Sequence, residues 1–322
     1  MTKNIPRKRK TAVIAIGGNS LIVNPNKQAI PDQYEAAVRT VKRIVDILEL
    51  GWNIVITHGS GPQVGFVLRR SELASQEIAE VPMDYADADI QGAIGYMFQR
   101  SLHNEFIKRG IDKAPITVVT QVLVDPEDAA FSSPSKPIGP HLNEKIARQR
   151  AKTQGWVIKE DTGAKGSWRR IVPSPLPQKI IELKQIQDLI DLDYVVIACG
   201  GGGIPVVRNQ KNYLEGIEAV IDKDLASGML ASEIGAELFI ISTDVEQVSL
   251  NFGKANEKLL NRITLEEAIS LYENNHFDRG SMGPKIKSMI DFLSKGGPKG
   301  IITNPENLVE ALGENTGTIF ES

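Results

Sequence analysis

Short apolar runs alternate with longer amphipathic runs along most of the chain, and no other feature of the sequence constrains the fold as strongly. Thr11–Ile16 and Trp52–Thr57 are short and apolar, as buried strands are. Between them, Tyr34–Leu48 has apolar residues at the spacing of one helical face, and Asp32 followed by Glu35 predicts a helix with Asp32 as its N-cap. Because strand, helix and strand follow in this order, the sequence predicts a parallel sheet covered by helices.

The same alternation continues towards the carboxyl terminus with one interruption. Gly92–Lys108 predicts a further helix, and Ile116–Val124 predicts a further strand. From Asp125 to about Gln178 the chain contains seven prolines, which is typical of a small excursion from the sheet. Strand-like runs then resume at Asp193–Cys199, Leu238–Thr243, Gly300–Thr303 and Thr316–Phe320.

Composition and charge disfavour several classes of protein. The 322 residues are 41% hydrophobic and 24% charged, and the formal net charge of −3 gives no overall attraction to nucleic acid or to an anionic membrane. No apolar run reaches the roughly 18 residues of a membrane span. The single cysteine, Cys199, excludes an internal disulfide framework and predicts a reducing, cytoplasmic location, with this thiol buried at a strand end. The four histidines lack the spacing of a metal cluster, and the basic residues 1–10 predict a disordered tail.

Four glycine-rich turns are placed where a parallel sheet binds ligands. They are Gly17–Ser20, Gly59–Gln63, Gly200–Gly203 and Gly280–Gly283. Glycine lets the backbone approach a ligand and point its N–H groups at an anion, and three of these turns follow the carboxyl ends of predicted strands. Their spacing fits neither the dinucleotide-binding fingerprint nor the P-loop motif. The turns therefore favour a phosphate site and disfavour a Rossmann oxidoreductase or a P-loop enzyme.

Three lysines are candidates for binding a phosphate. Lys285 follows Pro284, the predicted first helical residue, and a cation in that first turn opposes the helix dipole unless an anion binds beside it. Lys223 has an aspartate on either side, and these can hold its ammonium group extended. Each lysine could instead face solvent, with Asp224 acting only as a helix cap, and chemistry alone favours a surface-loop position for Lys136. The sequence does not show whether the three converge.

Six segments together resemble carbamate kinases, within the amino acid kinase superfamily. They are Ala15–Leu21, Thr57–Gly65, Gln91–Tyr96, Ala198–Val206, Val220–Ala226 and Arg279–Lys285. The last two, together with Pro134–Gly139, are the most specific, and the resemblance extends from about residue 11 to Phe320. It implies an α/β fold, a three-layer αβα sandwich with a mainly parallel central sheet and a small protruding subdomain.

The resemblance also implies how the chain is divided and what it does. The acceptor-binding half is expected at residues 11–215, with the protruding subdomain at about 125–178, and the nucleotide-binding half at 216–322. The implied reaction is reversible phosphoryl transfer between ADP or ATP and carbamoyl phosphate or carbamate, with Mg²⁺ carried by the nucleotide. A homodimer and a place in arginine metabolism are implied as well, whereas the expectation of no nucleic-acid or membrane partner comes from the charge and the short apolar runs.

The resemblance assigns roles to individual residues. Lys136, Lys223 and Lys285 match the family's lysines, with Lys136 replacing a lysine that relatives have on the first strand and that is absent here. Asp224 would hold lysines in place. The remaining implied contacts are Gly17, Gly18 and Asn19 with the transferred phosphoryl group, Gly59, Ser60 and Gly61 with the carbamoyl end, and Thr243, Asp244 and Gly283 with the nucleotide. No residue is assigned to a metal.

Three departures from the family pattern affect substrate identity. Ser60 occupies a position where carbamate kinases usually have asparagine, the segment Tyr85–Ile90 lacks the usual cysteine and hydroxyl residue, and Val248-Ser249 replaces Val-Tyr near the expected adenine site. The alternatives are therefore another superfamily enzyme with a different small carboxylate acceptor, and a non-catalytic nucleotide-binding relative.

Overall fold

A computed structural model describes residues 9–18, 21–22, 27–161, 166–278 and 280–322. Within these ranges the strands are β1 (Thr11–Ile16), β2 (Asn53–His58), β3 (Pro115–Thr117), β4 (Gln121–Leu123), β5 (Lys136–Asn143), β6 (Val157–Glu160), β7 (Ser167–Val172), β8 (Lys179–Ile180), β9 (Val195–Ile197), β10 (Ile204–Arg208), β11 (Leu214–Gly216), β12 (Leu238–Ser242), β13 (Val248–Leu250), β14 (Lys258–Leu260), β15 (Arg262–Thr264), β16 (Lys299–Thr303) and β17 (Thr318–Glu321). The helices there are α1 (Ile30–Glu49), α2 (Gly61–Ala74), α3 (Met83–Arg109), α4 (Glu144–Gln154), α5 (Leu183–Asp191), α6 (Lys223–Glu233), α7 (Leu265–Glu273), α8 (Met282–Ser294) and α9 (Leu308–Leu312). None of these helices is both long and apolar enough to cross a membrane.

Eight strands form the central sheet, in the order β15-β17-β16-β12-β1-β2-β9-β3. Neighbouring strands are parallel except for the antiparallel pair of β16 and β17. All six residues of β1 are buried. A parallel strand that is covered on both faces needs apolar residues at nearly every position, which explains why this run shows no polar alternation.

Helices cover both faces of the central sheet. On one face, α1, α3 and α9 pack around Ala12, Ile14 and Ile16 of β1. On the other face, α5, α6 and α8 pack around Val13 and Ala15 of the same strand. Successive side chains of β1 therefore enter two different cores, as the alternation of a strand requires. This arrangement confirms the predicted αβα sandwich.

A three-stranded antiparallel sheet, in the order β5-β7-β6, forms the small subdomain together with α4. Its strands and helix run from Lys136 to Val172, inside the segment predicted from the prolines. The subdomain lies against α2, where a Cβ added to Gly65 would be 2.0 Å from the Cα of Gly139. Only glycine permits two backbones to approach so closely, and the contact fixes the start of the subdomain beside the central sheet.

Two predicted helix starts were wrong. The N-cap of α1 is Ala29 rather than Asp32. Asp32 lies three residues after this N-cap, and its carboxylate accepts a hydrogen bond of 3.2 Å from the backbone N–H of Ala29. The helix predicted from Gly92 begins at Met83. Aspartates interrupt the apolar pattern in this first part of α3, and tertiary burial of the inner face compensates for them.

The single strand predicted at Ile116–Val124 is two strands in different sheets. β3 is an edge of the central sheet, whereas β4 belongs to a four-stranded sheet in the order β11-β10-β4-β8. Gln91 of α3 stabilises the bend between them, because its amide accepts from the N–H of Thr120 at 2.8 Å and donates to the carbonyl of Thr120 at 3.0 Å and to that of Gly200 at 2.9 Å. A side chain distant in sequence therefore divides one continuous apolar run.

Candidate functional site

Three of the predicted glycine turns meet at the carboxyl end of the central sheet. Gly17–Gly18 follows β1, Gly59–Gly61 follows β2, and Gly200–Gly203 follows β9, and these strands are neighbours. The first two turns are in direct contact, since a Cβ added to Gly59 would be 2.7 Å from the backbone nitrogen of Gly18. The turns thus combine into one surface made largely of backbone, as an anion site requires.

These turns border a cleft of about 180 Å³. Its lining residues are Gly17, Gly18, Gly59, Ser60, Gly61, Pro62, Lys136, Pro137, Arg169, Gly201, Val220, Ile221, Asp222, Lys223, Asp224, Thr243, Asp244, Gly280, Ser281 and Lys285. Three helices, α2, α6 and α8, begin at this cleft. The N-terminus of a helix carries partial positive charge and free N–H groups, so their convergence favours a bound anion such as phosphate.

Asp224 joins two of the candidate lysines inside the cleft. Its Oδ2 accepts a hydrogen bond of 2.8 Å from Lys285 Nζ, and its Oδ1 accepts one from Lys223 Nζ. Asp224 and Lys223 are buried, and Lys285 is largely buried. Two ammonium groups are therefore held close together by one carboxylate, which leaves one excess positive charge for a ligand.

The electrostatics of this triad follow from burial and from the pairing. Burial alone would raise the pKa of Asp224, but Lys223 and Lys285 outweigh it and hold that pKa well below its usual range. Burial opposes the charged form of Lys285 as well, yet the contact with Asp224 prevails and raises its pKa. For Lys223, burial prevails over the attraction of Asp224 and lowers the pKa. An anion bound in the cleft would offset this cost, because it would supply charge next to a buried ammonium group.

The third lysine reaches the cleft from the subdomain. Lys136 Nζ donates to Asp222 Oδ2 at 2.5 Å, and the other carboxylate oxygen of Asp222 caps α6 by accepting from the N–H of Asp224 at 2.9 Å. The prediction that both flanking aspartates hold Lys223 was therefore half right, since Asp222 holds Lys136 instead. The pair with Lys136 counteracts burial and lowers the pKa of Asp222.

The structure brings most of the predicted site residues together. The three lysines, Asp224, and all but two of the other predicted residues line the one cleft. Gly283 lies on α8 beside the cleft and lines a neighbouring cavity, and Asn19 lies outside the described residues. Pro284 is the third residue of α8 rather than the first, which still leaves Lys285 in the first turn. The role of each residue stays a prediction.

Sequence reasoning missed one cation at this site, Arg169. It lies on β7 of the subdomain, lines the cleft, and donates from Nη2 to the carbonyl of Gly139 at 2.9 Å. Its Nε is buried without a hydrogen-bond partner among the described residues. Burial lowers the pKa of the guanidinium group, which nevertheless stays charged at neutral pH. Several arginines and lysines occur between residues 125 and 178, and no pattern distinguishes this one from the others.

Cys199 is buried just beyond the end of β9, as predicted for this thiol, and its backbone is in the left-handed region with φ of 49°. Burial raises the pKa of its thiol, which excludes a reactive thiolate at neutral pH. In the described part of the chain, no group of three or more histidine, cysteine, aspartate or glutamate side chains could hold a metal ion.

The chain matches known proteins over nearly its whole length. Residues 10–304 match the model of the amino acid kinase family. A carbamate kinase of Thermococcus kodakarensis is 46% identical over 312 residues, which cover 96% of this chain and 98% of that protein. A carbamate kinase-like protein of Escherichia coli is 42% identical, with 96% of this chain and 98% of that protein covered.

Solved structures agree with these matches. The carbamate kinase of Giardia lamblia bound to AMP-PNP is 38% identical and superposes with a TM-score of 0.88, covering 97% of this chain and 98% of that one. The same enzyme bound to citric acid gives a TM-score of 0.92 over the same shares. The chain therefore belongs to the amino acid kinase family and, within it, to the phosphotransferases of the carbamate kinase family.

Proposed function

We propose that this chain transfers a phosphoryl group reversibly between carbamoyl phosphate and ADP, forming carbamate and ATP, in the cleft at the carboxyl end of the central sheet. The observation that carries the proposal is the convergence of Lys136, Lys223 and Lys285 on this cleft. These residues come from a subdomain strand and from the starts of two different helices. Side chains so distant in sequence have little reason to meet in one cleft unless they share a ligand.

The proposed step breaks the bond between phosphorus and the carbamoyl oxygen while a β-phosphate oxygen of ADP forms the new bond to phosphorus. Carbamate leaves as an anion, and the step itself transfers no proton. Phosphoryl transfer of this kind needs positioning and charge stabilisation rather than a protein nucleophile. The three ammonium groups and the backbone N–H groups of Gly17, Gly18 and Gly59–Gly61 supply both.

Each element contributes a different part of the site. Lys223 and Lys285 would neutralise the phosphates, and Asp224 would keep their two ammonium groups at a fixed separation. Lys136 would reach the transferred phosphoryl group by exchanging its contact with Asp222 for one with the ligand. Thr243 and Asp244, which line the cleft, and Gly283 beside it would border the nucleotide.

We assign Mg²⁺ to the nucleotide rather than to a protein-built site. Asp222 and Asp224 are bound to lysines, and Asp244 is the other carboxylate that lines the cleft in the described part of the chain. This donor set fits Mg²⁺, which keeps several waters and is commonly held by substrate phosphates with one or two carboxylates. When bound, the ion would neutralise charge on the phosphates.

We also propose that the chain forms a homodimer through the outer face of α3. Tyr85 and Tyr96 of this helix are 66% and 60% exposed, and Ile78, between α2 and α3, is 63% exposed. Ile78 and Tyr96 line a mostly apolar cavity of about 700 Å³ with Ile30. An apolar surface of this kind is typical of an interface. A cytoplasmic location and a role in arginine metabolism stay predictions from the sequence.

A coupled assay of ATP formation from ADP and carbamoyl phosphate tests the reaction. The Lys136→Ala variant should lower kcat by about 100-fold or more, the loss typical of removing one charge-stabilising group. Lys159→Ala removes an exposed lysine from β6 of the same subdomain and should leave kcat unchanged. Activity of the wild type with another acyl phosphate alone would show a different acceptor, and ADP binding without turnover would show a non-catalytic relative.

A further inference from the structure

The acceptor side of the cleft contains buried polar atoms that have no hydrogen-bond partner among the residues that the structure describes. They are Oγ of Ser60, a residue that lines the cleft although this oxygen is itself buried, and both carboxylate oxygens of Asp87 on α3, which lies behind the cleft-lining Gly201. Ser60 and Asp87 are 3% and 1% exposed. Such groups are costly to bury unpaired, so their presence beside a binding site points to a role in ligand binding.

Gly201 lies where these two side chains approach each other. A Cβ added to Gly201 would be 2.7 Å from Ser60 Oγ and 3.7 Å from Asp87 Oδ1. The backbone there has φ of 71°, and a side chain would fill the space between the two oxygens. Both oxygens therefore face the space that a side chain at position 201 would occupy, and one water molecule there could bridge them.

The other groups on this side of the cleft are mainly hydrogen-bond donors. The N–H groups of the glycine turns, Lys136 and Arg169 can all donate to the oxygens of carbamoyl phosphate. Its amino group needs an acceptor instead. In the structure Asp222 and Asp224 are paired with lysines, Ser281 Oγ is bonded to Asp278, and the proposed function assigns Thr243 and Asp244 to the nucleotide. Among the described residues, Ser60 Oγ has no hydrogen-bond partner even before a ligand binds, whereas Asp222 would have a free oxygen only after Lys136 leaves it.

We propose that Ser60 Oγ accepts a hydrogen bond from the amino group of the carbamoyl substrate and that Asp87 positions this hydroxyl by accepting its proton, directly or through one water. This role of Ser60 and Asp87 in substrate selectivity rests on the proposed function. Once the Ser60 proton is directed to Asp87, the lone pairs of Oγ face the substrate and select an N–H donor over a methyl group.

The protonation of Asp87 is compatible with this role. Burial raises the pKa of Asp87, and the nearby carboxylates of Asp84 and Glu218 raise it further. A neutral carboxyl group still keeps a carbonyl oxygen that can accept from Ser60. The proposal therefore holds for either state of the acid.

Acetyl phosphate provides the test, because it keeps the acyl phosphate and replaces the amino group with methyl. We expect Ser60→Ala to lower kcat/KM for carbamoyl phosphate about tenfold, the loss of roughly one hydrogen bond, and to leave kcat/KM for acetyl phosphate unchanged. Asp87→Leu should reproduce this loss, and the double variant should lose no more than either single one. Asp87→Asn keeps an acceptor oxygen and should retain the preference for carbamoyl phosphate.

Asp112→Leu, at an exposed position after α3, is the matched control and should behave as the wild type. Circular dichroism and thermal unfolding establish whether each variant folds. If Ser60→Ala does not fold, Ser60→Gly replaces it. Equal losses with both acyl phosphates, or no loss with either, would overturn the inference while leaving the kinase proposal intact. A wild type that forms no ATP from carbamoyl phosphate would contradict the proposed function itself.

Discussion

Asp224 lies between two lysine ammonium groups, with one carboxylate oxygen contacting each of them. It is 3% exposed, so water cannot replace it if the carboxylate is removed. The Asp224→Asn variant should therefore leave Lys223 and Lys285 as buried cations that repel each other. We expect the free energy of unfolding to fall by about 3–5 kcal/mol, as for other broken buried pairs, and kcat to fall with it.

Urea denaturation of the wild type and this variant measures the effect. Asp188→Asn is the matched control, since it breaks the exposed pair of Lys184 and Asp188 and should cost less than about 1 kcal/mol. Added sulfate should restore part of the stability of Asp224→Asn by binding between the freed lysines. An equal, small cost for both variants would show that Asp224 does not maintain the charge balance.

His58 makes the free energy of unfolding of the protein depend on pH. Its imidazole is buried at the end of β2, where Nδ1–H donates to the carbonyl of Gly59. Burial lowers the pKa of His58 to about 4. The unfolded chain, with an ordinary histidine pKa near 6.5, then binds a proton that the folded chain does not, so stability is complete above about pH 6.5 and falls as the pH drops towards 4.

A His58→Gln variant isolates this contribution. Between about pH 6.5 and pH 4, the wild type should lose up to about 3 kcal/mol more than the variant, because glutamine does not titrate. Chemical denaturation of both proteins at several pH values measures the difference. Parallel curves for the two proteins over this range would contradict a neutral, buried His58.

At the scale of single elements, the sequence predicted most of what depends on local pattern. Fully apolar strands such as Thr11–Ile16 and the amphipathic α1 follow from periodicity. The bend at Thr120 could not be predicted, because it depends on Gln91, which is distant in sequence. In the cleft, too, contacts between residues distant in sequence could not be predicted. The glycine turns meet because parallel strands end at one edge, whereas the contact of Lys136 with Asp222 spans 86 residues and depends on how the subdomain docks.

The docking of β5 on α2 determines where Lys136 lies. Gly65 faces Gly139 so closely that an added Cβ would clash with backbone that has no flexible end to move. The Gly65→Ala variant should therefore displace β5 and with it Lys136, while the helix starts that bind the nucleotide stay in place. We expect kcat to fall about 100-fold, as in Lys136→Ala, since the same charge is lost from the transition state.

Calorimetry with ADP provides the internal control for Gly65→Ala. The nucleotide side of the cleft involves neither Gly65 nor Gly139, so ADP affinity should equal that of the wild type. Full activity in this variant would show that the subdomain can shift without moving Lys136. A parallel loss of ADP binding would show that the damage is not confined to the subdomain.

Helix α3 connects the site with the proposed interface. Its inner face contributes Gln91, which holds the Gly200 turn, and Asp87, which lies behind Ser60. Its outer face exposes Tyr85 and Tyr96. A partner that covered this outer face would restrict the movement of a helix whose inner face positions the acceptor side of the cleft. The dimer would then support the site without contributing a residue to it.

A charge placed on this outer face should separate the protomers. The wild type should sediment at twice the 35.2 kDa of one chain, and Tyr96→Glu should sediment at the mass of one chain, because an interface cannot readily bury an unpaired carboxylate. Leu192→Glu is the matched control: Leu192 is 69% exposed at the end of α5, on the opposite side of the sheet, and its replacement should leave the dimer intact.

If α3 needs the partner for rigidity, the monomeric variant should also lose kcat with carbamoyl phosphate while keeping ADP affinity. A wild type that sediments as one chain at micromolar concentration would refute the dimer, and a dimer unaffected by Tyr96→Glu would place the interface elsewhere.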